Sequence, residues 1–242
     1  MTALSVNLNK IALLRNSRGR NYPNVLEYGE KLIKMGVAGL TVHPRQDERH
    51  ATRQDTRELA ALTKQYSGVE FNVEGFPSNE FMSLIAETRP DQCTLVPDAP
   101  NQITSDHGWD LTEHFDWVCK LVLELQSINV RASLFIDPDL EQIKLAAKTG
   151  VDRIELYTES YAKAFAHGQY ADVLSLYRLS AQLAQSLGLG INAGHDLDLN
   201  NLSKFLTIPN ILEVSIGHAL TVESLELGVA EVVRRYLEIC AE

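Results

Sequence analysis

Cysteine is scarce in this chain: Cys93, Cys119 and Cys240 are the only three in 242 residues, far apart and without a CxxC pair. That excludes a disulfide framework and a Cys-based metal site, and it points to a reducing compartment. Long apolar runs are missing too. No stretch approaches the roughly 18 residues of a membrane span. The start, Met1-Thr2-Ala3-Leu4-Ser5-Val6-Asn7, has neither the basic residues nor the apolar core of a signal peptide. A soluble, cytoplasmic protein is expected. Positive charge is in the minority, with 22 Lys and Arg against 32 Asp and Glu and a formal net charge of −10. A broad nucleic-acid-binding surface is therefore excluded, though small anionic ligands are not. There is no GxGxxG after a strand and no Gly-rich P-loop, which argues against an open nucleotide-binding sheet. No HxH or HxxxH pairing on one face favours a metal site.

What is present is ordinary globular composition, 45% hydrophobic and 22% charged, in a chain long enough to bury a full core. Short apolar runs predict strands at 4–8, 39–43, 69–74, 92–96, 130–136, 153–157, 189–193 and 211–216. Helical periodicity predicts helices at 25–35, 52–66, 78–88, 111–128, 137–150, 170–187, 200–206 and 222–239. Pro138 suits the first turn of its helix, and Ser78 suits a cap. Residues 11–23 read as a loop, 158–168 as less regular, and 98–110 as a polar active-site segment. Strand and helix alternating eight times predict an α/β protein, a (β/α)8 TIM barrel forming one domain over 1–242.

The C-terminal ends of such strands carry the site. They hold Asn7, His43, Glu74, Asp137, Glu155, Asn192 with His195, and Gly217 with His218. Imidazoles titrate near neutrality and exchange protons in successive steps. Glu74, after Phe71 and Val73, is placed for desolvation, which raises a carboxyl pKa and makes a better base. Basic groups cluster at Arg15, Arg18 and Arg20 and again at Arg45 and Arg49, suited to small anions. The turns Asn192-Ala193-Gly194-His195 and Ser215-Ile216-Gly217-His218 follow strands seven and eight, where many barrels bind phosphate.

In this order, Val6-Asn7, Leu14-Arg15-Asn16-Ser17-Arg18-Gly19, Thr41-Val42-His43-Pro44-Arg45 through His50, and Asn72-Val73-Glu74 resemble the pyridoxine 5'-phosphate synthase family. Leu95-Val96-Pro97 with Thr104, Ser133 to Asp137, Ile154-Glu155, Asn192 to His195 and Ile216 to Ala219 extend the resemblance along nearly the whole chain. It implies a (β/α)8 barrel, assembled as a homo-oligomer, typically an octamer. It also implies condensation of 3-amino-2-oxopropyl phosphate with 1-deoxy-D-xylulose 5-phosphate, without metal or organic cofactor. His43 and Glu74 are then proton acceptors, His195 a proton donor and Glu155 a transition-state stabiliser. Asn7, Arg18, Gly217 and His218 hold the amino-ketone phosphate; Arg45, His50 and Thr104 hold the sugar phosphate.

This chain departs from the family pattern at several of these places. Asn9-Lys10 replaces an Asp-His pair at a substrate subsite, and Asp196 replaces a Gly beside a ligand. Glu159 stands for Gly, Tyr157 for His and Ser215 for Asn, and His107-Gly108-Trp109 departs from a Gly-Gly pattern. Asn9, Lys10 and Asp196 therefore join the candidate substrate contacts. The alternatives are a barrel enzyme acting on another phosphorylated ketone or aldehyde, and a silent paralogue that only binds one.

Overall fold

Successive strand residues point to opposite faces, and here the two faces differ sharply in polarity. In β3 (Glu70–Gly75), Phe71 and Val73 face outward and are fully buried under helices, while Asn72 and Glu74 face inward. The same alternation runs through β1 (Ala3–Asn7), β2 (Gly39–Val42), β4 (Gln92–Leu95), β5 (Arg131–Ile136), β6 (Arg153–Tyr157), β7 (Gly190–Gly194) and β8 (Glu213–Ile216). Each strand pairs in parallel with the next and β8 returns to β1, closing the barrel. The computed structural model describes residues 1–98, 102 and 104–242.

Outward residues such as Leu4, Val6, Leu40, Val42, Leu134, Ile154, Ile191 and Val214 form one core with the helices. The barrel interior is polar instead. Ser5 and Thr41 hydroxyls lie 2.8 Å apart, Thr94 donates to Asn72 at 3.0 Å, and Asn192 Nδ2 reaches across to Gln92 Oε1 at 3.2 Å. At the N-terminal end, Arg131 pairs with Glu70, and Arg153 lies 3.7 Å from Glu213. Most polar groups of this interior find a partner, which is the condition for burying them; Gln92 Nε2 and Ser133 Oγ have none among the described residues.

Between the strands run α1 (Asn9–Asn16), α2 (Val25–Lys34), α3 (Arg53–Thr63), α4 (Asn79–Thr88), α5 (Leu111–Ser127), α6 (Leu140–Lys148), α7 (Glu159–Ala166), α8 (Ala171–Ser186), α9 (Leu202–Phe205), α10 (His218–Leu227) and α11 (Val229–Ala241). Asn24, Thr52, Ser78, Asp110 and Asp139 each accept a backbone N–H at their helix's start. Such caps satisfy donors that the helix itself leaves unpaired.

Several elements differ from the sequence expectation. Residues 9–16 are helical, so the first part of the loop expected at 11–23 is helix, with Ile11 and Ala12 buried but Leu13 and Leu14 exposed, which blurs the periodicity. Residues 159–166 form α7, anchored by the fully buried Tyr161. Asp139 rather than Pro138 starts α6. The expected single C-terminal helix is two, broken at Gly228, whose φ of +81° is a left-handed conformation that costs glycine little.

Candidate active site

β1 ends in Asn7, whose side-chain amide is fixed from both sides. Its Oδ1 accepts the Asn9 N–H at 3.0 Å, and its Nδ2 donates to Glu74 Oε2 at 3.3 Å. Gly217 packs so tightly on this residue that an added Cβ would lie 2.9 Å from Asn7 Cβ. Asn9 turns toward β2, where its Oδ1 accepts the His43 N–H at 2.9 Å and so fixes the backbone that carries this histidine.

His43 is buried, with Nε2 3.9 Å from Asp98 Oδ2 and its ring 6.2 Å from that of His50. Burial, then the charge of Arg45, holds the His43 imidazole well below its ordinary pKa, which favours its neutral form. Burial, followed by Arg45 and Lys10, depresses His50 to about 4. Arg45 donates from Nη2 to Asp98 Oδ2 at 2.6 Å and from Nη1 to the Gln102 carbonyl at 3.1 Å. Arg45 Nε, His50 Nδ1 and Asp98 Oδ1 are buried without hydrogen-bond partners among the described residues. Of these, the unpaired Arg45 Nε–H is a buried cationic donor of the kind an anionic ligand satisfies.

Glu74 and Glu155 occupy the centre of the mouth. Burial, then the neighbouring Glu155 and Asp98 charges, hold Glu74 well above the carboxylate range. Burial, then Glu213, pushes Glu155 up to about 8. Gly194 makes room for Glu155, because a Cβ there would sit inside contact distance of Glu155 Oε1. Beyond it, His195 Nε2 lies 3.1 Å from Thr104 Oγ1, and its Nδ1 lies 3.1 Å from Asp196 Oδ2. His218 is exposed at the first position of α10.

A protein-family model described as the pyridoxal phosphate biosynthesis protein PdxJ matches residues 4–242. The chain belongs to the PdxJ family. It is 52% identical to the pyridoxine 5'-phosphate synthase of Porphyromonas gingivalis over 238 residues, 98% of each chain. It is 49% identical to the synthase of Christiangramia forsetii, covering 99% of each chain, and 48% identical to that of Agrobacterium fabrum, covering 99% of this chain and 97% of the relative. Among solved structures, the thiamine phosphate pyrophosphorylase from Pyrococcus furiosus superposes with a TM-score of 0.62 at 13% identity, covering 99% of this chain and 95% of that one. At that identity the likeness speaks for the barrel alone.

Of the basic residues expected to suit small anions in this PdxJ-family barrel, Arg15 is engaged elsewhere. Arg15 instead pairs with the buried Asp55 at the start of α3, so it joins α1 to α3. Arg18 is exposed in the turn beyond α1, which Asn16 ties to the carbonyls of Arg49 and His50. Lys10 is exposed on α1, close enough to depress His50. Asp98 was not singled out from the sequence, although its place just after β4 and Pro97 was available as a signal. Ala99, Pro100, Asn101 and Ile103 of the expected active-site segment lie outside the described residues.

Burying carboxyls has a pH signature. Burial raises Glu213 to about 7, against the opposing pull of Arg153. Unfolded glutamate titrates near 4.3. The folded form therefore binds more protons between about 4.3 and 7, and stability must fall as pH rises through that window. Glu213→Gln is expected to flatten the decline in Tm from pH 5 to 8, read by thermal melts. Parallel melting curves for the two proteins across that range would remove Glu213 from this role.

Proposed function

We propose that the chain is a pyridoxine 5'-phosphate synthase, condensing 3-amino-2-oxopropyl phosphate with 1-deoxy-D-xylulose 5-phosphate to pyridoxine 5'-phosphate, phosphate and water. The naming of its relatives supports the reaction. The observation that carries the roles is that two carboxyls, the half-buried Glu74 and the buried Glu155, share the barrel mouth with His43 just after β2 and His195 beyond β7.

Joining an amine to a ketone, closing a ring and expelling phosphate and water require protons to move repeatedly among carbon, nitrogen and oxygen. Groups with displaced pKa values perform such transfers at neutral pH. His43, held neutral, accepts a proton. Glu74, oriented by Asn7, accepts protons once the ammonium group of the amino-ketone offsets its neighbours' charge. His195 donates, and Glu155 stabilises the charge that develops between them. Arg45 and His50, with Lys10 and Thr104, hold the sugar phosphate. Asn7, Gly217 and His218 at the start of α10, with Arg18, hold the amino-ketone phosphate, as a helix N-terminus favours. Asn9 acts through the His43 backbone.

Self-association belongs to the same reading. Leu13 and Leu14 on α1 are exposed beside α10, which exposes Val222, Leu225 and Leu227. Clustered apolar surface of this kind marks an interface between copies. No helix among the described residues is long and apolar enough to cross a membrane, consistent with a cytoplasmic enzyme.

Purified protein incubated with both substrates is expected to form pyridoxine 5'-phosphate by mass spectrometry, with release of inorganic phosphate, and to form none when either substrate is omitted. Folded protein that binds 1-deoxy-D-xylulose 5-phosphate without turnover would shift the assignment to another phosphorylated ketone or aldehyde, or to binding alone.

A further inference from the structure

His195 and Asp196 form consecutive left-handed positions, with φ of +85° and +60°. Non-glycine residues seldom adopt this conformation, and two in succession persist only where the surroundings hold them. The surroundings do so here. The Thr158 hydroxyl, fully buried, donates to the Gly194 carbonyl at 2.8 Å and also reaches the His195 carbonyl. Asn201 Nδ2 donates to the Asp196 carbonyl at 3.0 Å, while Asn201 Oδ1 accepts the Asp198 N–H at 2.9 Å. Three consecutive carbonyls are thus clamped by Thr158, just before α7, and Asn201, just before α9.

The consequence of this backbone is the placement of the Asp196 carboxylate 3.1 Å from its neighbour's Nδ1. We propose that Asp196 is a positioning residue for His195, fixing the Nδ1–H tautomer and turning Nε2 toward the barrel mouth. An ionised carboxylate only accepts hydrogen bonds, so the nitrogen facing it carries the hydrogen and Nε2 is left to exchange a proton. That bond is also the leading reason the Asp196 carboxyl stays below its ordinary range, ahead of the charges of His195, His218 and Lys163. Tyr157 supports the ring from the side, edge to face with centroids 5.0 Å apart. The Tyr157 hydroxyl donates to Glu159 Oε2 at 2.7 Å, and Lys163 holds the other Glu159 oxygen at 2.8 Å. The imidazole is thereby held on two sides, with Thr104 Oγ1 at its reactive nitrogen.

This inference rests on the reading of His195 as the proton donor, and its test separates the two. In protein labelled with ¹⁵N-histidine, above the pH at which imidazoles charge, nitrogen shifts report the tautomer directly. The His195 signals are assigned by their loss in His195→Ala. Wild type is expected to show the Nδ1–H tautomer, and Asp196→Gly, which suits a left-handed backbone and retains the fold, the Nε2–H tautomer usual in solution. The same tautomer in both proteins overturns the proposal, whatever the turnover.

In the synthase assay, Asp196→Gly is expected to lower kcat by about 10- to 100-fold, the scale of a misplaced catalytic group, with both KM values held within about twofold. Asp196→Glu is expected to restore part of the loss. A raised KM at unchanged kcat would instead make Asp196 a substrate contact and overturn the positioning role. If His195→Ala leaves kcat intact, the donor assignment fails while the tautomer result still decides the pairing.

Discussion

His195→Ala is expected to lower kcat by about 10²–10⁴-fold, the usual contribution of a positioned general acid. The side chain is suited to a clean test because it is 23% exposed and belongs to no packed core. Its contacts are Thr104, Asp196 and the edge-on Tyr157 ring, and its backbone is held by Thr158 rather than by the imidazole. Truncation therefore removes the proton carrier without opening a core cavity, and the melting temperature is expected to stay close to wild type. Steady-state rates with both substrates, read beside a thermal melt, separate chemistry from folding. A kcat within about threefold of wild type, well inside what general acid catalysis contributes, would strip His195 of the donor role. His43 and Glu74 would then have to carry the proton traffic. Glu74→Gln is a useful companion, since it keeps shape and the Asn7 contact while removing the base.

The barrel was legible in the sequence because each strand is short, apolar on its outer face and separated by a helical pattern. The strand ends were legible for the same reason: once β2 is placed, His43 must stand at its C-terminal end. Long-range pairing was not. Arg45 reads as a candidate anion ligand, but residue order does not show that Asp98, 53 residues away, is folded against it. Arg15 reads as a phosphate ligand until Asp55, 40 residues away, claims it. The helices α1 and α7 were hidden by weak local periodicity, whereas the break between α10 and α11 lay within an unbroken apolar pattern. Asp196 was visible as a carboxylate in an unexpected place. Its partner was not, because whether neighbouring side chains meet depends on two positive φ angles that residue order alone does not dictate.

Asp98→Ala is expected to cost about 3–5 kcal/mol of stability, the range for breaking a buried ion pair by removing one partner. The Arg45 and Asp98 side chains are 7% and 3% exposed, and Asp98 Oδ2 also accepts the Ser105 hydroxyl at 2.8 Å. Removing the carboxylate leaves the guanidinium buried, with the Gln102 carbonyl as an acceptor among the described residues. It also removes the acceptor of the Ser105 hydroxyl, next to Thr104, so KM for the sugar phosphate should rise in whatever fraction stays folded. Urea unfolding followed by fluorescence gives the first quantity and initial rates the second. The double variant Arg45→Met/Asp98→Leu discriminates the cause. Loss of the pair as a unit leaves no uncompensated charge, so it should be more stable than Asp98→Ala even though it has lost more polar contacts. If Asp98→Ala costs less than about 1 kcal/mol, the range of an exposed pair, Arg45 must reach water in solution. Its placement as a dry, preorganised anion ligand would then be wrong.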